Sequence, residues 1–518
     1  MAWLNYVKQD QVLEFYSFDK YLFRLSDFRK LNDSYPELKE YIAELELNYP
    51  RNIQGVQKIP LFDGRIILNL IVGEIENTQK YIKLMNNVDA WYLDGFSPSK
   101  NPDLWSIKLL KYIYKSCHEE TTFSTYTSSG LVKNNLTESG FNHKRTEGFL
   151  DKRHMLKGKV VKEQKKNPLN TKVAVIGSGI VGCILSYILA KKGMEVDLYE
   201  KSDNICSGAS SHELLVTYPR LSAHDTAFGA FTLQSYIFAI NFYKSLKTKA
   251  WKKTGVIILN HDEASEKRQS SLLKKRSDGE IYRFISPDEA SEISGLDIKL
   301  NGLLYEDAGY ILPKEICKFL LKSPKINLFT SSQIKNITRN REMINLRIEK
   351  KEFEYKNVCV CAGSDTSKIL ELDGISIKRG QVTHIESLDR VSKIKLPICA
   401  KGYISPQINN IHLVGSSYSD SEVTDLSEEE HIYNLNNLKL IIDQEMNVIS
   451  GKAGHRSVSK DHMPIVGKKN GLYVNTCHGS RASVTAPISA EIIASMIAGE
   501  APPLMKRELE SLSPERFS

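Results

Sequence analysis

The stretch Thr171-Lys-Val-Ala-Val-Ile-Gly-Ser-Gly-Ile-Val-Gly182, with Glu200 eighteen residues beyond it, is the most informative part of this chain. Its apolar, β-branched residues 173–176 predict a buried parallel strand that breaks into a glycine turn. A helical pattern follows over 184–192, and a second strand is predicted over 195–199. This order is typical of the strand–helix–strand unit that opens a dinucleotide-binding α/β domain.

Each residue type in this unit has a physical reason. Gly177 allows the tight turn, Gly179 lets the backbone approach a pyrophosphate, and Gly182 lets helix and strand pack closely. The N–H groups at the start of the helix then face the phosphates. Glu200 is placed to accept hydrogen bonds from a ribose diol. The predicted dinucleotide-binding residues are Gly177, Ser178, Gly179, Gly182, Glu200 and Lys201.

A second pattern of strand, glycine turn and helix lies near the C-terminus, over 471–482, and its helix is predicted to open near Pro487. An early glycine fingerprint combined with this late element resembles the FAD-dependent D-amino-acid/glycine oxidase superfamily. In that superfamily the late helix points its N-terminus at the flavin. The resemblance implies FAD rather than a nicotinamide cofactor, with Gly479 and Ser480 beside it.

The composition of the chain is that of a globular protein without a transmembrane helix. The chain has 518 residues, of which 41% are hydrophobic and 25% charged, as in ordinary globular proteins. No run of eighteen apolar residues occurs, so neither a transmembrane helix nor a membrane partner is predicted. The eight cysteines show no CxxC pair or metal-ligand spacing, which predicts no metal site and favours the cytoplasm. The net charge of +8 permits a polyanionic partner without proving one.

The N-terminal region has its own signature in Val88-Asp-Ala-Trp-Tyr-Leu-Asp-Gly-Phe-Ser-Pro-Ser-Lys-Asn-Pro-Asp-Leu-Trp105. An apolar strand is predicted to end just before Asp94, which begins a loop of Gly, Pro and Ser. Ligands bind at such carboxyl ends of strands in open α/β sheets. This loop closely resembles the methyltransferase half of the bacterial bifunctional tRNA 5-methylaminomethyl-2-thiouridine biosynthesis family. The further segments that match this family, in order along the chain, are 13–20, 61–74, 130–141, 148–155, 209–222, 379–385, 454–467 and 502–517.

The resemblance implies an enzyme that modifies the wobble uridine of tRNA. Its flavin half removes the carboxymethyl group from 5-carboxymethylaminomethyl-2-thiouridine, and its other half methylates the exposed amine with S-adenosylmethionine. By the same resemblance, Asp19 would hold the cofactor ribose and Glu74 would lie near the adenine. Asp94 is expected to accept a hydrogen bond or a proton from the substrate amine.

One departure from the family concerns its first strand and the glycine-rich loop that cradles S-adenosylmethionine. In the family these precede the strand that ends here at Asp19, and the sequence shows no such loop before Asp94. We therefore expect a truncated methyltransferase half, with binding groups for the adenosine side only. Loss of a central strand would also leave sheet edges unpaired.

The predicted fold is α/β, with a truncated Rossmann-like methyltransferase domain followed by a FAD-binding Rossmann-type domain. The latter is interleaved with an α+β substrate domain, as in D-amino-acid and glycine oxidases. A polar, proline-containing stretch predicts a linker over 161–171. The predicted divisions are a methyltransferase-like domain over 1–160, a flavin domain over 172–518, FAD-binding parts over 172–225, 356–370 and 454–518, and substrate parts over 226–355 and 371–453.

A carboxylate on the carbon to be oxidised calls for a fixed guanidinium, because arginine offers a planar, bidentate fork. Arg456 is the first candidate, since by resemblance to glycine oxidases it would clamp this carboxylate. Arg481, beside the predicted flavin-facing helix, is the second candidate. The acid–base residue of this half and the oligomeric state stay open.

A second interpretation from another class also remains open. The flavin half would then be an oxidase of small amines or amino acids, and the N-terminal unit a vestige or a tRNA-docking module without catalysis. Release of a two-carbon fragment from tRNA distinguishes the first interpretation from the second.

Overall fold

The computed structural model describes residues 4, 11–32, 34–148, 153–163, 171–275, 281–387 and 391–517. The chain divides into two compact units, one of residues 1–169 with 494–506 and the other of residues 170–493 with 507–518. Residues 164–170 of the predicted linker lie outside the described residues. The predicted division of the chain into a methyltransferase-like domain and FAD-binding and substrate parts stays a prediction. Within the described ranges, no helix is long and apolar enough to cross a membrane.

The described helices alternate with strands through most of the chain. Their bounds are Leu25–Asn32, Lys39–Leu47, Ile75–Ile82, Ile107–Ser116, Gly130–Glu138, Ile180–Lys191, Ala227–Ser245, Glu263–Lys275, Pro287–Ser294, Pro313–Leu320, Thr366–Ile369, Glu428–Leu438, Ala482–Ala498 and Lys506–Leu512.

The first unit contains two sheets. The strands are β1 (Leu13–Asp19), β2 (Gly55–Leu61), β3 (Ile66–Val72), β4 (Val88–Tyr92), β5 (Cys117–Thr125), β6 (Phe141–Glu147) and β7 (His154–Val160). They are ordered β1-β3-β2 in one sheet and β4-β5-β7-β6 in the other. One hydrophobic core joins both sheets, with Ile71 from β3 and Phe123 from β5 in the same cluster.

The strands of the first unit pair in two separate sheets within the described residues. Within the described residues, β1 pairs only with β3 and β4 pairs only with β5. Each of the two strands therefore has one edge that no described strand covers. The parallel pairing of β1 with β3 brings Asp19 opposite Val72, so the carboxyl ends of these strands share one edge of the sheet.

The second unit is built on a sheet of six strands and a sheet of eight. The strands are β8 (Lys172–Ile176), β9 (Glu195–Tyr199), β10 (Leu215–Thr217), β11 (Trp251–Lys252), β12 (Val256–Leu259), β13 (Arg283–Ile285), β14 (Gly302–Tyr305), β15 (Gly309–Ile311), β16 (Ile326–Phe329), β17 (Ile334–Asn340), β18 (Met343–Ile348), β19 (Lys351–Tyr355), β20 (Asn357–Val360), β21 (Ile375–Glu386), β22 (Ile398–Cys399), β23 (Tyr403–Ile404), β24 (Ile411–Gly415), β25 (Val448–Ser459), β26 (Ile465–Lys469) and β27 (Leu472–Thr476).

The six-stranded sheet has the order β16-β9-β8-β20-β27-β26, and it is parallel apart from the β26–β27 pair. Its central strand β8 is the predicted first strand, buried from Val173 to Ile176 as its apolar sequence requires. The eight-stranded sheet has the order β13-β14-β12-β22-β23-β24-β21-β25. Two three-stranded sheets, β10-β15-β11 and β17-β18-β19, complete the unit.

The late helix differs from its prediction. It begins at Ala482, so that Pro487 lies inside it rather than at its start. Proline has no N–H to donate to the carbonyl four residues earlier, which here is that of Ser483. This carbonyl instead accepts a hydrogen bond from the Tyr243 hydroxyl at 2.7 Å. A contact from a distant helix thus makes the interior proline tolerable.

Candidate functional site

The glycine turn after β8 is closed by main-chain contacts that leave no room for side chains. Gly177 has a φ of +101°, in the region that favours glycine. A Cβ on Gly177 would lie 2.6 Å from the Cys361 carbonyl oxygen, and one on Gly182 would lie 1.9 Å from the Gly177 carbonyl oxygen. The helix Ile180–Lys191 therefore packs directly on the turn and starts four residues earlier than the sequence pattern predicts.

Glu200 lies at the end of β9 and is tied to this turn. Its Oε2 accepts hydrogen bonds from the N–H of Ser178 at 2.9 Å and from the Ser178 hydroxyl at 2.7 Å. Its Oε1 accepts from the N–H of Ser202 at 3.0 Å. Lys201 points instead to Asp365, with 2.5 Å between Nζ and Oδ2. The structure thus brings Ser178 and Glu200 together, whereas Lys201 forms an ion pair of its own.

These residues fit the adenosine diphosphate part of FAD. The start of a helix offers main-chain N–H groups and the positive end of its dipole to a pyrophosphate. Here that start follows Gly179, and the acid after the second strand, Glu200, bonds to Ser178 of the same turn. When FAD is bound, the turn 177–182 would hold its pyrophosphate and Glu200 its ribose.

The C-terminal turn lies beside the strand that carries Arg456. The Gly479 N–H donates to the carbonyl of Ser457 at 3.1 Å, and His478 bridges to Val458 in β25. Arg481 follows directly and precedes the helix that starts at Ala482. The two predicted arginines and the predicted Gly479–Ser480 turn are therefore neighbours in the fold.

The guanidinium of Arg456 is half-buried and bonds to two serines. Its Nη2 donates to the Ser416 hydroxyl at 2.8 Å and its Nη1 to the Ser417 carbonyl at 3.3 Å. Burial lowers the pKa of Arg456. Among the described residues no carboxylate forms an ion pair with it. Because removing a charge from water is costly, such a group is stabilised by an anion that binds beside it.

Sequence reasoning missed the residues that surround Arg456. The guanidinium lies over Gly380, where a Cβ would come within 2.2 Å of Nη2. A glycine inside a strand is the signal that points to such a close approach. His212 lies nearby, and its pKa is lowered to about 4 by burial and by the charge of Arg456. Its buried Nδ1 has no hydrogen-bond partner within the described part of the chain.

In the first unit, Asp19 and Glu74 lie at the carboxyl ends of adjacent parallel strands. The N–H of Gly73 donates to the Asp19 carbonyl at 2.9 Å, and burial raises the pKa of Asp19. The Glu74 carboxylate is 2.6 Å from Nζ of Lys20. The pair fits the adenosine side of S-adenosylmethionine. Within the described residues, no glycine-rich loop lies beside this pair.

The loop that carries Asp94 is held by aromatic side chains. The Tyr126 hydroxyl donates to the Gly95 carbonyl at 2.6 Å, and Nε1 of Trp105 donates to the Phe96 carbonyl at 2.9 Å. Asp94 itself is exposed, immediately beyond β4. The anchored loop therefore presents the carboxylate to solvent at a strand end, where a substrate can reach it.

Two buried histidines predict how stability depends on pH. Burial lowers the pKa of His212 to about 4 and that of His478 to about 3. Both values lie below the value of about 6.5 in an unfolded chain. The unfolded state therefore binds more protons, and the free energy of unfolding falls as the pH drops from about 6.5 toward 4, by up to about 1.4 kcal/mol per pH unit and histidine.

Urea unfolding at pH 7, 6 and 5 measures this dependence. His478 contacts Thr485 Oγ1 at 2.8 Å and Asn475 Oδ1 at 3.0 Å. Glutamine retains hydrogen-bonding groups but does not titrate. His478→Gln should therefore reduce the slope of the free energy of unfolding against pH by up to about 1.4 kcal/mol per pH unit, the contribution of one proton. A wild type whose stability is constant over this range, or a variant with the same slope, would contradict the assignment.

Both units match known protein families. Residues 172–496 match the family model of the FAD dependent oxidoreductases, and residues 36–161 match that of an S-adenosyl-L-methionine-dependent methyltransferase. Solved structures with the same fold include glycine oxidase from Geobacillus kaustophilus, 18% identical with a TM-score of 0.58 over 67% of this chain and 99% of that one. Iminodiacetate oxidase from Chelativorans sp. BNC1 is also 18% identical, with a TM-score of 0.56 over 66% and 98% of the two chains.

Curated relatives extend over nearly the whole chain. The tRNA 5-methylaminomethyl-2-thiouridine biosynthesis bifunctional protein MnmC of Legionella pneumophila strain Corby is 30% identical over 99% of this chain and 86% of its own length. The protein of the same name from Nitrosospira multiformis is 29% identical over 97% and 85%. The predicted family, fold class and cofactor classes are confirmed. The chain belongs to the FAD dependent oxidoreductases and to the family of bifunctional tRNA 5-methylaminomethyl-2-thiouridine biosynthesis proteins.

Proposed function

We propose that the second unit oxidises the side chain of 5-carboxymethylaminomethyl-2-thiouridine in tRNA and removes its carboxymethyl group. The 5-aminomethyl form of the nucleoside remains. The names of the relatives, which refer to a methylaminomethyl uridine in tRNA, support this substrate. The fold of the unit, shared with oxidases of glycine and iminodiacetate, supports an amine bearing a carboxymethyl group.

The observation that carries the proposal is the half-buried Arg456, which forms no ion pair with a carboxylate of the described residues. The substrate side chain ends in –NH–CH2–COO−, and its carboxylate suits the two parallel donors of a guanidinium. Ser416 and Ser417 hold these donors from one side, and Gly380 leaves room for the planar group. Arg456 would thereby orient the methylene carbon for oxidation. Arg481, at the start of the late helix, is the second candidate to contact the carboxylate.

The reaction balances with one oxidation and one hydrolysis. Bound FAD supplies the acceptor for a hydride from the methylene carbon. The substrate nitrogen loses its proton, which leaves the imine R–N=CH–COO−. Water then adds to the imine carbon, and the C–N bond breaks to give R–NH2 and glyoxylate. Binding of the carboxylate supplies position and orientation, which account for a large part of the rate in such reactions.

For the first unit we propose the methyl transfer that follows. Asp94 would accept a hydrogen bond or a proton from the new amine, and Asp19 and Glu74 would hold the adenosine of S-adenosylmethionine. The exposed position of Asp94 on an anchored loop supports this role. A tRNA substrate and eight free cysteines favour the cytoplasm as the site of action.

Nucleoside analysis tests the flavin step. We expect the purified protein with FAD to convert carboxymethylaminomethyl-tRNA to aminomethyl-tRNA and to release one glyoxylate per nucleoside. Mass spectrometry of digested tRNA and a glyoxylate assay measure the two products. Oxidation of glycine or iminodiacetate without any change in tRNA would instead support the small-amine oxidase.

A further inference from the structure

A group of arginines in the second unit lies near the start of the late helix, whose preceding turn contacts the strand that carries Arg456. The segment that follows β10 runs along the start of the late helix, because the Ser483 hydroxyl donates to the Val216 carbonyl at 2.8 Å. Two residues beyond that carbonyl, the ring of Tyr218 lies 5.6 Å from the guanidinium carbon of Arg481. Arg220 comes next, and its carbonyl accepts a hydrogen bond from the Thr232 hydroxyl at 3.0 Å.

Arg268, on the helix Glu263–Lys275, is close enough for its charge to act on Arg220 and Tyr218, and we call Arg220, Arg268 and Arg481 the arginine cluster. Partial burial, followed by the charges of Arg481 and Arg268, lowers the pKa of Arg220. The side chains of Arg220 and Arg268 are nonetheless exposed, so a ligand can reach them from solvent. The cluster thus lies at the surface, next to the turn that precedes the late helix.

The positive charge of this cluster is not neutralised within the described part of the chain. There, none of its three arginines forms an ion pair with a carboxylate. Asp262 is close enough to Arg268 for the two charges to interact, but it bonds to the N–H of Ser265 at 2.7 Å. Like charges held together in a partly buried place repel one another, and an anion that binds between them relieves the repulsion.

We propose that the two exposed members of this cluster, Arg220 and Arg268, bind the backbone phosphates that flank the target uridine of tRNA. This inference rests on the proposed function, because a uridine that enters the site within a tRNA brings a phosphate on each side. Guanidinium groups bind phosphates through paired, charge-assisted hydrogen bonds. The pyrophosphate of FAD has separate donors in the turn 177–182. Arg220 and Arg268 would therefore hold the RNA while Arg456 orients the side chain of its base.

Arg220→Gln and Arg268→Gln test the proposal, with a fluorescent tRNA anticodon stem-loop that carries the carboxymethylaminomethyl uridine as the probe. Each variant should weaken the Kd for the stem-loop about three- to tenfold at moderate salt, and reduce the slope of log Kd against log salt by about 0.7. The KM for the stem-loop should rise, while the KM for the free nucleoside, which has no phosphate, should stay constant.

Arg347→Gln is the matched control, since it removes an exposed arginine from β18 in another sheet of the same unit. It should leave the Kd and its salt slope at their wild-type values. Variants with wild-type Kd and slope, or a control that weakens binding equally, would overturn the phosphate site. A wild type that oxidises neither nucleoside nor stem-loop, yet binds the stem-loop in an Arg220- and Arg268-dependent way, would refute the proposed function alone.

Discussion

Gly182→Ala is expected to cost the purified protein most of its FAD and its yellow colour. The added Cβ would lie 1.9 Å from the carbonyl oxygen of Gly177. The obstructing atom is main chain, so no change of rotamer relieves the clash and the helix must move away from the turn. Overpacking of this kind costs about 1–3 kcal/mol, or roughly five- to a hundredfold in FAD affinity if the strain falls on the bound state.

Flavin absorbance after gel filtration and titration with FAD measure the effect. Gly130→Ala is the control, because a Cβ at that helix start meets no atom within 4 Å. The control should keep its full flavin content. Gly179→Val tests the neighbouring position, where the side chain would obstruct the approach of the pyrophosphate rather than the packing of the helix. Wild-type FAD affinity in Gly182→Ala would show that close contact between helix and turn is not needed.

Arg456→Lys should lower kcat/KM for carboxymethylaminomethyl-tRNA by roughly ten- to a hundredfold, because losing a bidentate, charge-assisted contact costs about 1.5–3 kcal/mol. Lysine keeps the charge but presents it as a point, so the carboxylate is held less firmly. The flavin content should stay close to that of the wild type. Steady-state kinetics with nucleoside analysis measure the loss.

Two comparisons separate substrate binding from structural damage. Arg283→Lys alters a half-buried arginine that already pairs with Glu289 and Glu306, and it should leave turnover unchanged. An analogue of the substrate whose side chain lacks the carboxylate should react slowly with the wild type, and Arg456→Lys should slow it little further. Unchanged turnover of carboxymethylaminomethyl-tRNA in Arg456→Lys would assign Arg456 to structure.

Short sequence patterns were sufficient to predict the first strands and the glycine turn of the flavin unit. The strands β8 and β9, the turn between Gly177 and Gly182, and the acid at Glu200 follow from residues that lie close together in the chain. Backbone preference and hydrophobic periodicity act over such short distances, so the sequence alone reveals them. The Asp94 loop was recognisable for the same reason. The order of such segments along the chain then identified the family.

Contacts between distant segments had to be seen in the structure. Where the chain is described, no carboxylate forms an ion pair with Arg456. This depends on how β21, β24 and β25 meet, which no local sequence pattern predicts. Pro487 lies inside a helix because Tyr243, more than two hundred residues earlier, satisfies the Ser483 carbonyl. Burial, charge neutralisation and hydrogen bonding at these positions arise from long-range packing, which sequence spacing does not encode.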